Sequence, residues 1–152
     1  MSQATIQKDL EGAGGWQNWK HLFRTINPCC RYLVLRNFEA LPDSLEDADI
    51  DLLTDNFQRF ASAANVFQKT NRPYKGTLNI SGVRVPTDIR FLGDNYFDGQ
   101  WQRTVLQRRE LVNEVYVPAQ DDFFLRCYIT ARFTKFRLSR NTLTFLVRCQ
   151  RR

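Results

Sequence analysis

The most constraining feature of this sequence is a short run in which carboxylates and apolar side chains alternate. Residues 47–53 read Asp-Ala-Asp-Ile-Asp-Leu-Leu, and a period of two is typical of a β-strand with one buried face. In such a strand Asp49 and Asp51 project together on one side. Ile50 and Leu52 then enter the core. We therefore expect a sheet that carries two neighbouring carboxylates on one face.

A second run of the same kind occurs later in the chain, at residues 85–91. Ile89 and Phe91 form its apolar set. Asp88 and Arg90 alternate with them and point to the opposite face. If this strand lies beside the first, its carboxylate converges with the two carboxylates of the first run.

The remaining pattern predicts helices and strands that alternate within one domain. Apolar residues recur at helical spacing in residues 16–26, 54–70 and 97–111, and a further helix is expected to begin at 121–122. Strands separated by turn residues are expected at 32–35, 48–53, 77–80, 83–91 and 115–117. This order indicates an α+β fold, with a mixed β-sheet flanked by helices.

The net charge of +6 comes from one end of the chain. Residues 125–152 contain eight basic residues and no Asp or Glu, which leaves 14 basic and 16 acidic residues in the first 124. The body is therefore weakly acidic, which argues against a basic nucleic-acid-binding surface on it. We expect a flexible N-terminus at 1–15, a domain at 16–124 and a basic tail at 125–152.

Composition also bears on the compartment. The longest apolar runs are far shorter than the ~20 residues of a membrane-spanning helix, and residues 1–15 lack the apolar segment of a signal peptide. Four cysteines without a Cys-x-x-Cys pair favour free thiols in the cytoplasm. His21 is expected on a helix surface or in the core.

The neighbouring carboxylates point to a metal ion. Like charges side by side on a strand repel each other and lose hydration, and a cation between them removes this cost. Oxygen-only ligation suits Mg²⁺, so Asp49, Asp51 and Asp88 are the candidate metal ligands. Such a triad can hold two Mg²⁺ ions for phosphoryl or nucleotidyl transfer. The alternative is a solvent-facing strand edge that binds nothing.

Four segments extend this pattern: LVLRNFEALP at 33–42, DIDLL at 49–53, DIRFLGDNYFD at 88–98 and YVP at 116–118. Together they resemble a nucleotidyltransferase-fold family whose members often occur among bacterial surface-polysaccharide genes. The resemblance covers about residues 30–124. It implies Mg²⁺-dependent transfer of a nucleotidyl or phosphoryl group from a nucleoside triphosphate to a hydroxyl acceptor such as a sugar, in polysaccharide biosynthesis.

The resemblance also implies a role for each carboxylate. Asp49 and Asp51 would be the paired, catalytic metal ligands. Asp88 would be the third ligand and would help to deprotonate the acceptor hydroxyl.

One position departs from the family pattern. The Gly-Ser pair that holds the nucleotide phosphates after the first strand is replaced by Arg36-Asn37. Arg36 can bind phosphate as a bidentate donor, and Asn37 can donate one hydrogen bond. Arg90 either neutralises phosphate or pairs with an aspartate. The departure supports an alternative in which the chain is a catalytically inactive module of the same fold, used for protein contacts.

The acidic residues after the second run have two interpretations. Asp94 is a turn former and Asp98 a first-turn helix residue, which favours structural roles for both. In the alternative they line an acceptor pocket, where Tyr96 or Trp101 stacks on a sugar or base.

The basic tail fits nothing that precedes it. Residues 125–136 (LRCYITARFTKF) can be encoded so that a shifted frame reads ALLYHGAFHK, which is what the family resemblance implies at this point. We therefore expect the chain to run out of frame after about Phe124, which leaves the domain C-terminally incomplete. The alternative is a genuine basic extension that binds nucleic acid.

Overall fold

The computed structural model describes residue 12 and residues 14–46, 48–69 and 72–122. Within these ranges the chain combines a five-stranded mixed sheet, a two-stranded sheet and helices, which confirms the α+β class. The basic tail and most of the predicted flexible N-terminus lie outside the described residues. In the described part of the chain, no helix has the length and apolar character needed to cross a membrane.

The elements are, in chain order, α1 (Trp19–Ile26), β1 (Tyr32–Val34), β2 (Ile50–Thr54), α2 (Phe57–Ala63), β3 (Phe67–Lys69), β4 (Arg72–Ile80), β5 (Val83–Phe91), α3 (Gly99–Gln107), β6 (Glu110–Val112) and β7 (Val115–Val117). The larger sheet has the strand order β1-β2-β5-β4-β3. Among the described strand pairs of this sheet, β2 and β5 are parallel and the other three pairs are antiparallel. β6 and β7 form a separate hairpin.

The two alternating runs of the sequence lie side by side as β2 and β5. Their register places Leu52 next to Ile89, and Asp51 next to Asp88. The predicted convergence of the two runs is therefore confirmed at the level of the backbone.

Helices cover the two faces of the sheet unequally. On the face that carries Ile50 and Leu52, α1 and α2 contribute to one large cluster of buried side chains. On the opposite face, Val105 and Leu106 of α3 pack on a smaller cluster around Leu53. Since Asp51 lies two residues before Leu53, alternation puts its carboxylate on the face of the smaller cluster.

Helix α2 ends earlier than the sequence predicts. It begins after Asn56, whose side chain accepts a hydrogen bond from the Arg59 amide at 2.9 Å, and not after Thr54 or Asp55. It ends at Ala63, and Asn65 then adopts a left-handed conformation with φ of 51°, which stops a helix. The prediction of a helix as far as residue 70 is therefore wrong.

The predicted third helix is also too long. Asp98 caps α3, because its side chain accepts a hydrogen bond from the Trp101 amide at 2.8 Å, and the helix ends at Gln107. The residues that follow form the hairpin of β6 and β7, whose turn at Asn113-Glu114 has positive φ angles of 48° and 71°. Two positive φ angles give a turn whose twist matches that of paired strands.

The tight turn between β4 and β5 is confirmed. Ser81 and Gly82 have φ angles of 52° and 79°, as the same type of turn requires. Strand β5 has its predicted bounds. Strand β4, however, begins at Arg72 and not at Thr77, so the sequence prediction omitted residues 72–76 of this strand.

Burial raises the pKa of the Tyr32 phenol above its usual value of 10. The folded chain therefore holds this proton more tightly than the unfolded chain, and the associated stability is lost as the pH rises above about 10. We predict that Tyr32→Phe reduces the loss of unfolding free energy between pH 8 and about 10.5. Urea denaturation of both proteins at the two pH values measures this difference, and an unchanged loss would contradict it.

The revised end of α2 gives a second prediction. Phe60 is 1% exposed, whereas Phe67, which lies within the helix predicted at 54–70, is 60% exposed. Phe60→Ala should lower the unfolding free energy by about 3–5 kcal/mol, as for other buried phenylalanines. Phe67→Ala should change it by less than about 1 kcal/mol. If urea denaturation shows comparable losses of unfolding free energy for the two variants, Phe67 is buried and this prediction is wrong.

Candidate functional site

The candidate site is a row of charged side chains across the face of the sheet. Asp51 of β2 and Asp88 of β5 are register partners, and Lys75 of β4 is the partner of Asp88 on its other side. Adjacent strands lie about 4.8 Å apart, so these side chains are immediate neighbours. Asp49 precedes β2 by one residue, on the same side by alternation.

Arg36 reaches this row from the end of β1. The Leu35 amide donates a hydrogen bond to the Asp51 carbonyl at 2.8 Å, which keeps the chain beside β2. The Arg36 Nε atom donates to Asp51 Oδ2, and its Nη2 atom lies 3.8 Å from Asp49 Oδ1. Asn37 follows with a left-handed φ of 55°.

Arg90 lies on the same face, one pleat further along β5. Its Nε atom is 3.2 Å from Asp88 Oδ1, and its Nη2 atom donates to Asp88 Oδ2 at 3.4 Å. The guanidinium carbon lies over two aromatic rings, 3.8 Å from the Tyr96 centroid and 5.1 Å from that of Tyr74. These cation–π contacts hold its orientation.

Asp94 organises the loop that carries Tyr96. Its side chain is fully buried and accepts hydrogen bonds from the Tyr96 amide and from Gln102 Nε2, each at 3.0 Å. It also accepts one from the Phe91 amide at 3.3 Å. These contacts support the structural interpretation of Asp94, and the cap on α3 supports that of Asp98. Gln102 was not recognised from the sequence.

We call the six ionised side chains of this row the charge cluster; they are Arg36, Asp49, Asp51, Lys75, Asp88 and Arg90. Three carboxylates face three cations, and Lys75 Nζ lies 3.5 Å from Asp88 Oδ2. The side chains of Asp51 and Asp88 are only 14% and 18% exposed. Carboxylates this poorly hydrated require compensating positive charge, and the cluster supplies it internally.

The charge cluster has the donor atoms that Mg²⁺ prefers, since three carboxylates offer only oxygen. Asp88 Oδ1 is buried, and the Arg90 Nε atom lies 3.2 Å from it without hydrogen-bond geometry. Among the described residues, however, no group of three or more His, Cys, Asp or Glu side chains is arranged to hold a metal ion. The carboxylate oxygens are of the type that Mg²⁺ prefers, but in this structure they form ion pairs with Arg36, Lys75 and Arg90.

The remaining predicted phosphate-binding residues lie around the same carboxylates. Arg36 pairs with Asp51 and Arg90 pairs with Asp88, and Asn37 follows Arg36 with a left-handed φ of 55°. Lys75 was not recognised as a site residue, because the predicted strand began only at Thr77, whereas β4 begins at Arg72 and pairs Lys75 with Asp88.

A pocket of about 420 Å³ opens at a different part of the surface. Its lining includes Trp19, Leu45, Ile80, Arg84 and Val85, and contains no member of the charge cluster. It is therefore separate from the candidate site.

Searches with this chain against protein-family models, curated proteins and solved structures give no significant match. The geometry of the charge cluster is thus the main basis for a functional proposal, together with the sequence resemblance described above.

The two basic partners of Asp88 differ in the exposure of their side chains, and this difference leads to a prediction. Asp88→Ala leaves the Arg90 side chain, only 16% exposed, without its bidentate partner. Loss of one member of a buried pair should lower the unfolding free energy by about 3 kcal/mol. Lys75 is 41% exposed, so Lys75→Ala should cost less than about 1 kcal/mol. Urea denaturation distinguishes the two, and equal losses would show that Arg90 does not depend on Asp88.

Proposed function

We propose that the chain is a nucleotidyltransferase-like enzyme. It would transfer a nucleotidyl or phosphoryl group from a nucleoside triphosphate to the hydroxyl of an acceptor such as a sugar. The observation that supports this most directly is the in-register parallel pairing of β2 and β5. This pairing brings together the carboxylates of Asp51 on β2 and Asp88 on β5. Asp49 immediately precedes the first residue of β2.

In this proposal Asp49, Asp51 and Asp88 hold Mg²⁺. When bound, Mg²⁺ supplies positive charge to the transferred group and to the acceptor oxygen. Asp88 would also accept the acceptor proton at a carboxylate oxygen.

The basic members of the charge cluster would bind the phosphates. Arg90 presents a guanidinium whose plane is fixed by Tyr74 and Tyr96, and a fixed fork matches phosphate oxygens. Lys75 is more exposed and would act as a point charge. The triphosphate is an anion, and the carboxylates beside these cations would repel it. The cations would therefore bind the triphosphate only when a metal neutralises the carboxylates.

The second candidate is an inactive module of the same fold. Its support is that each carboxylate already has a basic neighbour within 4.0 Å, together with the replacement of Gly-Ser by Arg36-Asn37. In such a module the charge cluster would join strands β1, β2, β4 and β5 and bind no nucleotide.

Thermal denaturation with ligands tests the first candidate. Mg²⁺ with a nucleoside triphosphate at about 100 times its Kd should stabilise the folded chain by about 2.7 kcal/mol. Asp49→Asn removes a ligand at a position that is 37% exposed, so it should abolish the stabilisation while the fold is retained.

Asp43→Asn is the matched control, because Asp43 is exposed and lines the separate pocket. It should keep the full ligand response. If none of the common nucleoside triphosphates raises the melting temperature in the presence of Mg²⁺, the enzyme proposal is wrong. Mg²⁺ binding without nucleotide binding or turnover would favour the inactive module.

A further inference from the structure

The two adjacent cysteines between α1 and β1 are in direct contact. Cys29 Sγ lies 3.7 Å from Cys30 Sγ, a distance at which no atom fits between the two sulfurs. Neighbouring side chains of an extended segment point to opposite sides, so an extended chain would keep these thiols apart. The turn after α1 brings them together, since both cysteine amides donate to the Ile26 carbonyl, at 3.1 and 2.9 Å.

The two thiols differ in their access to solvent. Cys29 is exposed, whereas Cys30 is 5% exposed and belongs to the larger hydrophobic cluster. Burial, reinforced by the neighbouring Cys29 thiol, raises the pKa of Cys30 to about 12. Because the thiolate is the nucleophile, Cys30 reacts slowly with reagents in solution. A reagent therefore reaches Cys29 first, and Cys30 lies beside the sulfur that has reacted.

We propose that Cys29 and Cys30 form a thiol–disulfide exchange site for small-molecule disulfides. Cys29 is the entry thiol, which takes up one half of the small molecule. Cys30 is the resolving thiol, which releases that half and closes a disulfide between the two adjacent residues. The proposal depends neither on the charge cluster nor on the proposed function.

The reaction has two steps, and together they convert one disulfide RSSR into two thiols RSH. The Cys29 thiolate attacks one sulfur of RSSR, so that a bond from Cys29 Sγ to that sulfur forms. The S–S bond of RSSR breaks, and the first RSH leaves with the Cys29 proton. Cys30 Sγ then attacks Cys29 Sγ, and the second RSH leaves with the Cys30 proton. The protein loses two hydrogen atoms and gains one disulfide.

Contact between the sulfurs favours the second step. A disulfide bond is about 2.0 Å long, and the folded chain already holds the two sulfur atoms 3.7 Å apart. A group held this close has an effective concentration far above any concentration in solution. Proximity therefore compensates for the raised pKa of Cys30 in the attack on Cys29, but not in an attack on a molecule in solution.

The experiment uses the full wild-type chain and excess oxidised glutathione, followed by acid quenching, trypsin digestion and mass spectrometry. Trypsin cleaves after Arg24 and Arg31. The resulting peptide, residues 25–31, contains both adjacent cysteines and neither Cys127 nor Cys149. This peptide should become lighter by two hydrogen atoms and carry no glutathionyl group.

Two outcomes would overturn the proposal. A peptide that keeps a glutathionyl group and forms no internal disulfide would show that Cys30 does not resolve. An unmodified peptide would show that neither thiol exchanges. The Cys29 thiol would then serve as a weak hydrogen-bond donor to the last carbonyls of α1, which lie 3.6 Å away at Thr25 and 3.5 Å away at Ile26.

Matched variants separate the roles of the two thiols. Cys30→Ser keeps the exposed thiol, so the reaction should stop with one glutathionyl group on Cys29. Cys29→Ser keeps only the buried thiol of the pair and should be modified at least about tenfold more slowly than the wild type. Equal rates for Cys29→Ser and the wild type would overturn the assignment of Cys29 as the entry thiol.

Unfolding provides a further control. In concentrated urea the burial of Cys30 is lost, so Cys29→Ser and Cys30→Ser should be modified at similar rates. A difference that persists in urea would come from the local sequence and not from the fold, and would contradict the role assigned to burial. The wild-type peptide decides between exchange and no exchange even if one of the variants does not fold.

Discussion

The parallel pairing of β2 with β5 is the constraint on which the rest of the structure depends. Its register buries Leu52 beside Ile89 in the larger hydrophobic cluster. Because side chains alternate along both strands, the same register forces Asp51 to lie beside Asp88. A shift of one residue would turn these carboxylates into the core. The hydrophobic effect thus brings two like charges together, and the structure must neutralise them.

Neutralisation comes from three separate parts of the chain. Arg36 lies after β1 and Lys75 on β4, so these two side chains reach the carboxylates only because the sheet is assembled, whereas Arg90 lies on β5 two residues from Asp88. The order of the strands therefore determines the electrostatics of the site. The loop held by Asp94 contributes as well, since it places Tyr96 against the guanidinium of Arg90.

The sequence was informative where periodicity determines which side of an element is buried. Alternation identified β2 and β5 and the common face of Asp51 and Asp88, because a strand with one apolar side can be buried in only one way. Periodicity failed where a helix stops. Continued apolar spacing past Ala63 suggested a longer helix, but the left-handed backbone of Asn65 ends it and sends Phe67 into an exposed edge strand.

The partners of the carboxylates were only partly predictable for a related reason. A pairing of Arg90 with an aspartate was one of two alternatives from the sequence, because Arg90 lies two residues from Asp88 on one strand. The position of Lys75 depends on the antiparallel register of β4 and β5, and no local pattern encodes that register before Thr77. Contacts between distant segments follow from topology, which a single sequence reveals only in part.

Relative to the family that the sequence resembles, Arg36-Asn37 in place of Gly-Ser affects charge more than backbone path. Asn37 adopts a left-handed conformation with φ of 55°, which asparagine tolerates better than most residues, so a sharp turn after β1 remains possible without glycine. Arg36 instead adds a cation next to Asp49 and Asp51. This cation pairs with both aspartates and so joins the end of β1 to β2.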